Sequence, residues 1–223
     1  MSIQLVDEGA KFPPEVGRYH LYVTHASPFA HRTVIILALK GLEHAIGITH
    51  LHPTWQYTKP NVDDHRGWVF GSEDEKYLSS TTGYGNFPVS WGEKDQNHGF
   101  SSLRELYEYS KDNGGKYSVP VLWDKHLKTI VSNESSEIVR MLNSQFNEYA
   151  KNPELNLYPK DNRKQIDEVN EWISSDLNEG VYCCGLASSQ KAYDDALGKS
   201  SDMKFFLWCD VFQILPLNDI RKI

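Results

Sequence analysis

The residue whose type and position suggest chemistry is Ser27, which stands between a strand-like stretch and a helix-like one. Pro28 suits the first position of a helix, because proline lacks the N–H that would have no partner there. Ser27 is then the expected N-cap, with its hydroxyl over the free N–H groups of the helix start. A helix N-terminus favours an adjacent anion and lowers the pKa of a thiol placed there. The turn predicts either an anion-stabilising site or a serine that only caps a helix.

Two histidines, His25 and His31, flank Ser27 and invite a general-base role. His25 ends the predicted strand, and His31 lies one turn into the predicted helix. The chain has nine histidines, and a hydroxyl at a helix N-terminus can stabilise an anion without a base. We therefore interpret both as solvated or capping residues.

Hydrophobic periodicity predicts the elements that position this turn. Residues 19–24 alternate as in a short strand, and residues 29–40 are spaced as in a helix that Gly41 would end. The predicted buried face of this helix consists of Val34, Leu37 and Ala38. A second strand is predicted over 45–52. The stretch 53–100 is rich in Gly, Pro, Ser, Asp and Asn, and we expect a long irregular insertion of the kind that is usually functional.

The stretch after the insertion predicts four further elements. They are a helix over 102–110, strands over 118–124 and 128–132 joined by a hairpin turn, and a helix that starts near residue 135. Asn133 or Ser135 is the expected cap of that last helix, and Glu137 lies in its first turn. The predicted order is β-α-β-(insertion)-α-β-β-α.

Pro120 lies within the strand predicted over 118–124, where a proline normally argues against a strand. A cis Val119–Pro120 peptide beside the strand–turn–helix unit would leave the Val119 backbone free to pair with a bound peptide. The Ser27 turn and such a proline are both typical of the thioredoxin fold. The predicted fold class is therefore α/β plus all-α, with a thioredoxin-like domain followed by a helical one.

The predicted organisation has three parts. Residues 1–16 form an N-terminal arm, residues 17–145 form the thioredoxin-like domain with its insertion, and residues 160–223 form an incomplete helical domain. A polar linker is predicted over 143–160. Within the helical domain, helices are predicted over 161–177 and 188–197.

Composition narrows the class of protein. The 223 residues are 39% hydrophobic and 24% charged, with a net charge of −7, which is typical of a globular protein and argues against nucleic acid or an acidic membrane as partner. No apolar run approaches the about 20 residues of a membrane helix, and no signal peptide is visible. Three cysteines, Cys183, Cys184 and Cys209, form no CxxC pair. We expect no metal site and a cytoplasmic location.

Several strings of the sequence resemble the glutathionyl-hydroquinone reductases, also called Xi-class or omega-like glutathione transferases. The match runs from about Gly17 to Leu197. Its strings are Gly17-Arg-Tyr-His-Leu-Tyr, Ser27-Pro-Phe-Ala-His-Arg-Thr, Arg66-Gly-Trp-Val-Phe, Val119-Pro-Val-Leu-Trp-Asp, Asn133-Glu-Ser-Ser-Glu and Asn178-Glu-Gly-Val-Tyr. The resemblance implies glutathione as co-substrate, bound by the thioredoxin-like domain, with a helical domain that completes the acceptor pocket.

The resemblance also implies roles for individual residues. Val119, beside Pro120, would hydrogen-bond the cysteinyl backbone of glutathione. Glu134 and Ser135 would hold the γ-glutamyl end, and Trp68 would pack against the tripeptide. Without the resemblance, Trp68 is an ordinary anchor of the insertion and Glu134 and Ser135 are helix caps. Lys116 replaces an arginine of the family, and lysine keeps the charge but loses the bidentate fork for a carboxylate.

Ser27 replaces the family's active-site cysteine, and this departure changes the implied reaction. A serine cannot form a disulfide with glutathione, so the reductase reaction should be lost or nearly so. Its hydroxyl can instead stabilise the glutathione thiolate for attack on small electrophiles such as quinones. A pKa decrease of about two units corresponds to about 2.7 kcal/mol. The alternatives are a glutathione-binding protein with little or no turnover, and a reductase that uses Cys183 or Cys184.

The resemblance weakens in the helical part. Ser174 replaces a tyrosine that faces the quinone in the family, while Tyr182 lies on the acceptor side. After Leu197 the chain departs from the family, which we interpret as a deletion, an alternative splice or a gene-model error. The apolar stretch 205–208 would then lack its cover, so we expect poor stability or self-association. Xi-class relatives suggest a homodimer, largely through regions that this chain departs from.

Overall fold

The structure is a computed structural model that describes residues 11–81, 84–112 and 114–198. The chain divides into two compact units, Met1–Leu157 and Tyr158–Ile223. Most of the predicted N-terminal arm, Cys209 and the apolar stretch 205–208 lie outside the described residues. The domain limits given above stay predictions.

The first unit begins with a strand–helix–strand element. β1 (Tyr19–Thr24) is followed by α1 (Pro28–Lys40) and by β2 (Gly47–Leu51), which pairs in parallel with β1. Ser27 caps the start of α1 as predicted. At its end, Gly41 has a left-handed φ of 65° and its N–H bonds to carbonyls of the last turn. All residues of β1 are buried, so both faces of this strand are covered.

The predicted buried face of α1 is partly wrong. Leu37 is buried and Val34 is half-buried, but Ala38 is exposed, while Ile36 and Lys40 are buried. The physical reason is that the chain near residue 153 covers the C-terminal end of α1. The buried stripe therefore follows the spacing 33, 36, 37 and 40.

The insertion contains more regular structure than predicted. β3 (Gln56–Tyr57) pairs with β4 (Arg66–Gly67), and β5 (Tyr77–Ser79) pairs with β6 (Asn86–Pro88). A single 3₁₀ turn follows at Val89–Trp91. Strands of two or three residues are too short to produce an alternating pattern, which is why periodicity did not reveal them.

Asp95 anchors the far end of the insertion to the main sheet. Its buried carboxylate accepts a hydrogen bond of 2.9 Å from the hydroxyl of Tyr22 on β1. The backbone N–H groups of Asn97, His98 and Phe100 also donate to this carboxylate. These bonds fix the C-terminal end of the insertion to the main sheet.

The remaining elements of the first unit follow in the predicted order. They are α2 (Leu103–Tyr109), β7 (Val121–Asp124), β8 (Thr129–Ser132) and α3 (Ser135–Ser144). The main sheet has the strand order β2-β1-β7-β8, in which β7 is antiparallel to both of its neighbours. Its core includes fully buried aromatic side chains, among them Trp123 and Phe146.

Asp124 closes the predicted hairpin turn between β7 and β8. Its Oδ1 accepts hydrogen bonds from the backbone N–H groups of His126 and Leu127. Its Oδ2 accepts from Nε and Nη2 of Arg18 at 2.9 and 2.6 Å. Because both side chains are almost fully buried, the two N–H groups of Arg18 on Oδ2 and the two backbone N–H groups on Oδ1 compensate the buried charge.

The segment predicted as a polar linker packs against the first unit instead. Phe146 is fully buried, and the Lys40 ammonium donates to the carbonyls of Pro153 and Leu155 at 3.2 and 2.7 Å. Asn143 bonds to Asn156 through its side chain. The linker prediction is wrong up to about residue 157, because these contacts were not visible from composition.

The second unit is helical wherever it has regular structure. A 3₁₀ turn (Lys160–Asn162) leads into α4 (Arg163–Trp172), a π-helical segment (Ile173–Asn178) and α5 (Glu179–Gly185). Residues 190–198 are also helical. Between residues 158 and 198, only Gly180 is fully buried.

Two kinds of feature are absent from the described residues. None of their helices is both long and apolar enough to cross a membrane. Among the same residues, no group of His, Cys, Asp or Glu could hold a metal ion.

Candidate functional site

Three segments of the first unit meet at one edge of the main sheet. Tyr22 lies opposite Val121, so the end of β1 and the start of β7 are neighbours. Leu122 lies opposite Ser132, so β8 ends at the same edge. The Ser27 turn, the Val119–Pro120 peptide and the start of α3 therefore leave the sheet side by side.

Ser27 is buried at this edge, with 6% of its surface exposed. Its Oγ accepts a hydrogen bond of 3.3 Å from the backbone N–H of Ala30. A hydroxyl has one proton and two acceptor lone pairs, so this contact leaves the proton unused. No described residue accepts that proton. Ser27 can therefore donate a hydrogen bond to an anion at the helix start.

The Val119–Pro120 peptide bond is cis, as the sequence suggested. The hydroxyl of Tyr107 on α2 donates to the carbonyl of Ser118 at 2.8 Å, and Asn133 donates to the same hydroxyl at 3.1 Å. Burial raises the pKa of Tyr107, which therefore stays a neutral donor. Within the described part of the chain, the Val119 main chain has no hydrogen-bond partner. It can pair with an extended peptide.

Glu134, and neither Ser135 nor Asn133, is the N-cap of α3. Its backbone is extended, and its carbonyl accepts the first helical bond from Ile138. Its Oε1 accepts from the backbone N–H and the hydroxyl of Ser136 at 3.3 and 3.1 Å. The cap prediction is wrong by one residue, because a carboxylate can satisfy the same N–H groups as a serine hydroxyl.

Sequence reasoning missed Arg32, which links the starts of α1 and α3. Its Nε and Nη2 donate to the Ser135 hydroxyl oxygen at 2.9 and 2.5 Å. Nη2 also lies 3.7 Å from Oε1 of Glu134. Burial lowers the pKa of Arg32, and Glu134 opposes this shift. The only sequence signal was its place in the Ser27-Pro-Phe-Ala-His-Arg string, which does not identify a partner.

Trp68 and Lys116 belong to the same unit, and their predicted contacts with a ligand stay predictions. Trp68 packs edge-on against Trp55, with ring centroids 5.5 Å apart, and its carbonyl accepts from the N–H of Leu103. These contacts are those of an anchor of the insertion. Lys116 is exposed and forms no ion pair with the described residues.

His25 is exposed and stacks on His50 at a ring distance of 4.6 Å. Ala26, next to Ser27, lines a cleft of about 580 Å³ together with residues of β2 and the insertion. The other lining residues are His25, His50, Pro53, Ser90, Trp91 and Glu93. Neither His25 nor His31 forms a side-chain hydrogen bond with Ser27 among the described residues, and both are exposed. Their interpretation as solvated or capping residues stays a prediction.

The predicted acceptor-side residues lie in the second unit. Ser174 is part of the π-helical segment, and Tyr182 is 43% exposed on α5. Cys183 is exposed and Cys184 is half-buried, and both are free thiols. Their roles toward an acceptor stay predictions.

Comparison with known proteins identifies the family. The model of the glutathione S-transferase N-terminal domain matches residues 26–145. Glutathione S-transferase omega-like 2 of Schizosaccharomyces pombe is 40% identical over 187 residues, which cover 82% of this chain and 52% of the relative. Glutathionyl-hydroquinone reductase YqjG of Escherichia coli is 39% identical over 189 residues, which cover 84% of this chain and 50% of the relative. The chain thus spans about half the length of these curated relatives.

Solved structures agree with this assignment. The glutathione S-transferase Xi of Phanerochaete chrysosporium superposes with a TM-score of 0.75 at 39% identity, covering 89% of this chain and 61% of that chain. The glutathione-bound structure of YqjG from Escherichia coli superposes with a TM-score of 0.73 at 37% identity, covering 90% of this chain and 58% of that chain. These matches confirm the predicted fold class and the resemblance. The chain belongs to the glutathione transferases, in the group of omega-like, Xi-class and glutathionyl-hydroquinone reductase proteins.

Proposed function

We propose that this protein is a serine-type glutathione transferase in which Ser27 donates a hydrogen bond to the thiolate of bound glutathione. The observation that carries the proposal is the buried Ser27 hydroxyl, whose oxygen accepts from Ala30 while its proton is unused. A charge-assisted hydrogen bond and the N-terminus of α1 both favour the thiolate over the thiol. The thiol pKa of bound glutathione is then lowered.

Glutathione as co-substrate is supported by the family and by the glutathione-bound structure of YqjG. Val119 has a free main chain at the same sheet edge, suited to the cysteinyl part of the tripeptide. Glu134 and Ser135 at the start of α3 suit its γ-glutamyl end. Trp68 and Lys116 complete the proposed glutathione site.

The acceptor is a small electrophile such as a quinone. The thiolate sulfur forms a bond to a ring carbon, and the π electrons shift through the conjugated system so that the carbonyl oxygen takes the negative charge. Solvent protonates that oxygen, and loss of the proton on the attacked carbon to solvent restores the aromatic ring as a hydroquinone. The cleft beside Ala26 offers a place for such a ring, with Trp91 and His25 among its lining. Ser174 and Tyr182 are the proposed acceptor-side residues of the second unit. A homodimer and a cytoplasmic location also stay predictions.

The test is a titration of the thiol of bound glutathione, followed by the ultraviolet absorbance of the thiolate against pH. In the wild-type protein we expect a pKa about two units below the free thiol value of about 8.5. In Ser27→Ala the pKa should return to the free value.

Ser189→Ala is the matched control. The Ser189 hydroxyl accepts from the N–H of Ala192 at 3.2 Å, the same arrangement as Ser27 and Ala30, but at an exposed position of the second unit. This variant should keep the wild-type pKa. Glutathione binding without a lowered pKa would instead indicate a binding protein without turnover, and absence of binding would refute the proposal.

A further inference from the structure

We infer that Arg32 is a positioning residue of the glutathione site: it fixes the Ser135 hydroxyl as a hydrogen-bond donor to the α-carboxylate of the γ-glutamyl group. The inference rests on the proposed function, since it assumes that glutathione is the ligand. It adds to the site a residue of α1 that lies in a family string but to which the resemblance assigns no role.

The donor role of Ser135 follows from the chemistry of its partner. A guanidinium group has only donors and no acceptor. Two of its N–H groups point at the Ser135 oxygen, at 2.9 and 2.5 Å. The Ser135 Oγ must therefore accept these hydrogen bonds from Arg32, and the hydroxyl proton of Ser135 points away from the guanidinium group. Because Ser135 is only 2% exposed, the hydroxyl has few alternative partners.

The charges around Ser135 suit a zwitterionic ligand. Arg32 lies 3.7 Å from Oε1 of Glu134 and offsets its negative charge, so a carboxylate can approach the start of α3. Glu134 Oε1 is already engaged by Ser136, while Oε2 forms no hydrogen bond or ion pair with any described residue. Oε2 can accept from an ammonium group. The pair thus offers a donor for the α-carboxylate and an acceptor for the α-amino group.

Arg32 also fixes this pair relative to the thiol end of the site. Its side chain extends from α1, the helix that Ser27 caps, to the first turn of α3. The side chain is 37% exposed. Burial lowers its pKa, but a guanidinium group stays charged in proteins. The contact therefore holds two helix starts together at the ends of one extended ligand.

The experiment is a binding cycle measured by calorimetry on the full chain. Wild-type protein and Arg32→Gln are each titrated with glutathione and with its analogue in which the γ-glutamyl α-carboxylate is a carboxamide. Arg32→Gln should weaken glutathione binding by about tenfold or more, as expected for loss of a charged hydrogen-bond system. It should weaken binding of the carboxamide analogue much less, by about threefold at most.

Two further variants separate positioning from folding. Arg32→Lys keeps the charge but loses the fork, so it should still weaken glutathione binding, and it provides the same test if Arg32→Gln does not fold. Ser135→Ala should weaken glutathione binding, and adding it to Arg32→Gln should cost little more, because the two residues act as one unit. Lys76→Gln, which removes one exposed positive charge from the insertion, should bind both ligands like the wild type.

Equal weakening of both ligands by Arg32→Gln and Arg32→Lys would show that Arg32 only supports the fold, and would overturn the inference. Wild-type glutathione binding would in that case still support the proposed function. If the wild-type protein binds neither ligand, the proposed function fails and the inference fails with it.

Discussion

The difference between a serine and a cysteine at position 27 decides which reaction this fold can perform. The buried N-cap position suits either residue. The helix start would stabilise the thiolate of a cysteine at this position, and it would equally stabilise a glutathione thiolate that accepts a hydrogen bond from a serine hydroxyl. We predict that Ser27→Cys gains the ability to form a mixed disulfide with glutathione at residue 27. Mass spectrometry of peptides after treatment with oxidised glutathione measures this directly.

The control for this prediction is the exposed free thiol of the second unit. Cys183 is exposed, so its peptide should carry glutathione to the same extent in wild-type protein and in Ser27→Cys. A modified residue 27 appearing only in the variant supports the predicted chemistry. An unmodified residue 27, with Cys183 modified as before, would contradict it.

At the level of elements, the end of α1 depends on a backbone conformation that only glycine adopts easily. Gly41 has a φ of 65°, and an added Cβ would lie 2.7 Å from Cβ of Lys151. We predict that Gly41→Ala lowers the free energy of unfolding by about 1–2 kcal/mol for the conformation, with a further loss from the clash. Denaturant unfolding measures the loss.

Gly17→Ala separates the two contributions to that loss. Gly17 has a φ of 78°, but an added Cβ would meet no atom within 4 Å. In Gly17→Ala the free energy of unfolding should therefore fall only by the cost of the left-handed conformation. If Gly17→Ala is as destabilising as Gly41→Ala, close packing against Lys151 contributes nothing and the argument for the end of α1 is wrong.

For the molecule as a whole, buried histidines should make stability depend on pH. Burial lowers the pKa of His20 from 6.5 to about 4, with a smaller effect from Lys125. Between these values the unfolded chain binds more protons than the folded one, so stability rises with pH. We predict that His20 contributes about 3 kcal/mol above pH 6.5, lost progressively as the pH falls toward 4.

His20→Gln tests this dependence, because glutamine does not titrate and can still bond to Thr49, which lies 2.8 Å from Nε2 of His20. Unfolding free energies measured between pH 7.5 and 5.5, a window above the ordinary carboxylate range, should fall less steeply in the variant. The residual slope reflects His65 and His98, whose pKa values are also lowered by burial. Identical slopes in wild type and variant would contradict the assignment to His20.

Elements whose signals are local could be predicted from the sequence. The Ser27 cap, Pro28 at the first helical position and the Gly41 end of α1 each depend on neighbouring residues only, and the structure has all three. Strands β1, β7 and β8 were predictable because they have four to six residues with an alternating or continuous apolar pattern. The two- and three-residue strands of the insertion were not predictable in this way.

The sequence by itself determined the chemistry available at residue 27, since a hydroxyl, a helix start and a proline are local facts. Only the tertiary structure decided which side chains surround it. Arg32 and Ser135 are 103 residues apart in sequence, and Lys40 reaches Leu155 across 115 residues. Such pairs are set by how α1 packs on α3 and on the segment that follows. No local pattern encodes that packing, because it depends on distant apolar surfaces being buried together.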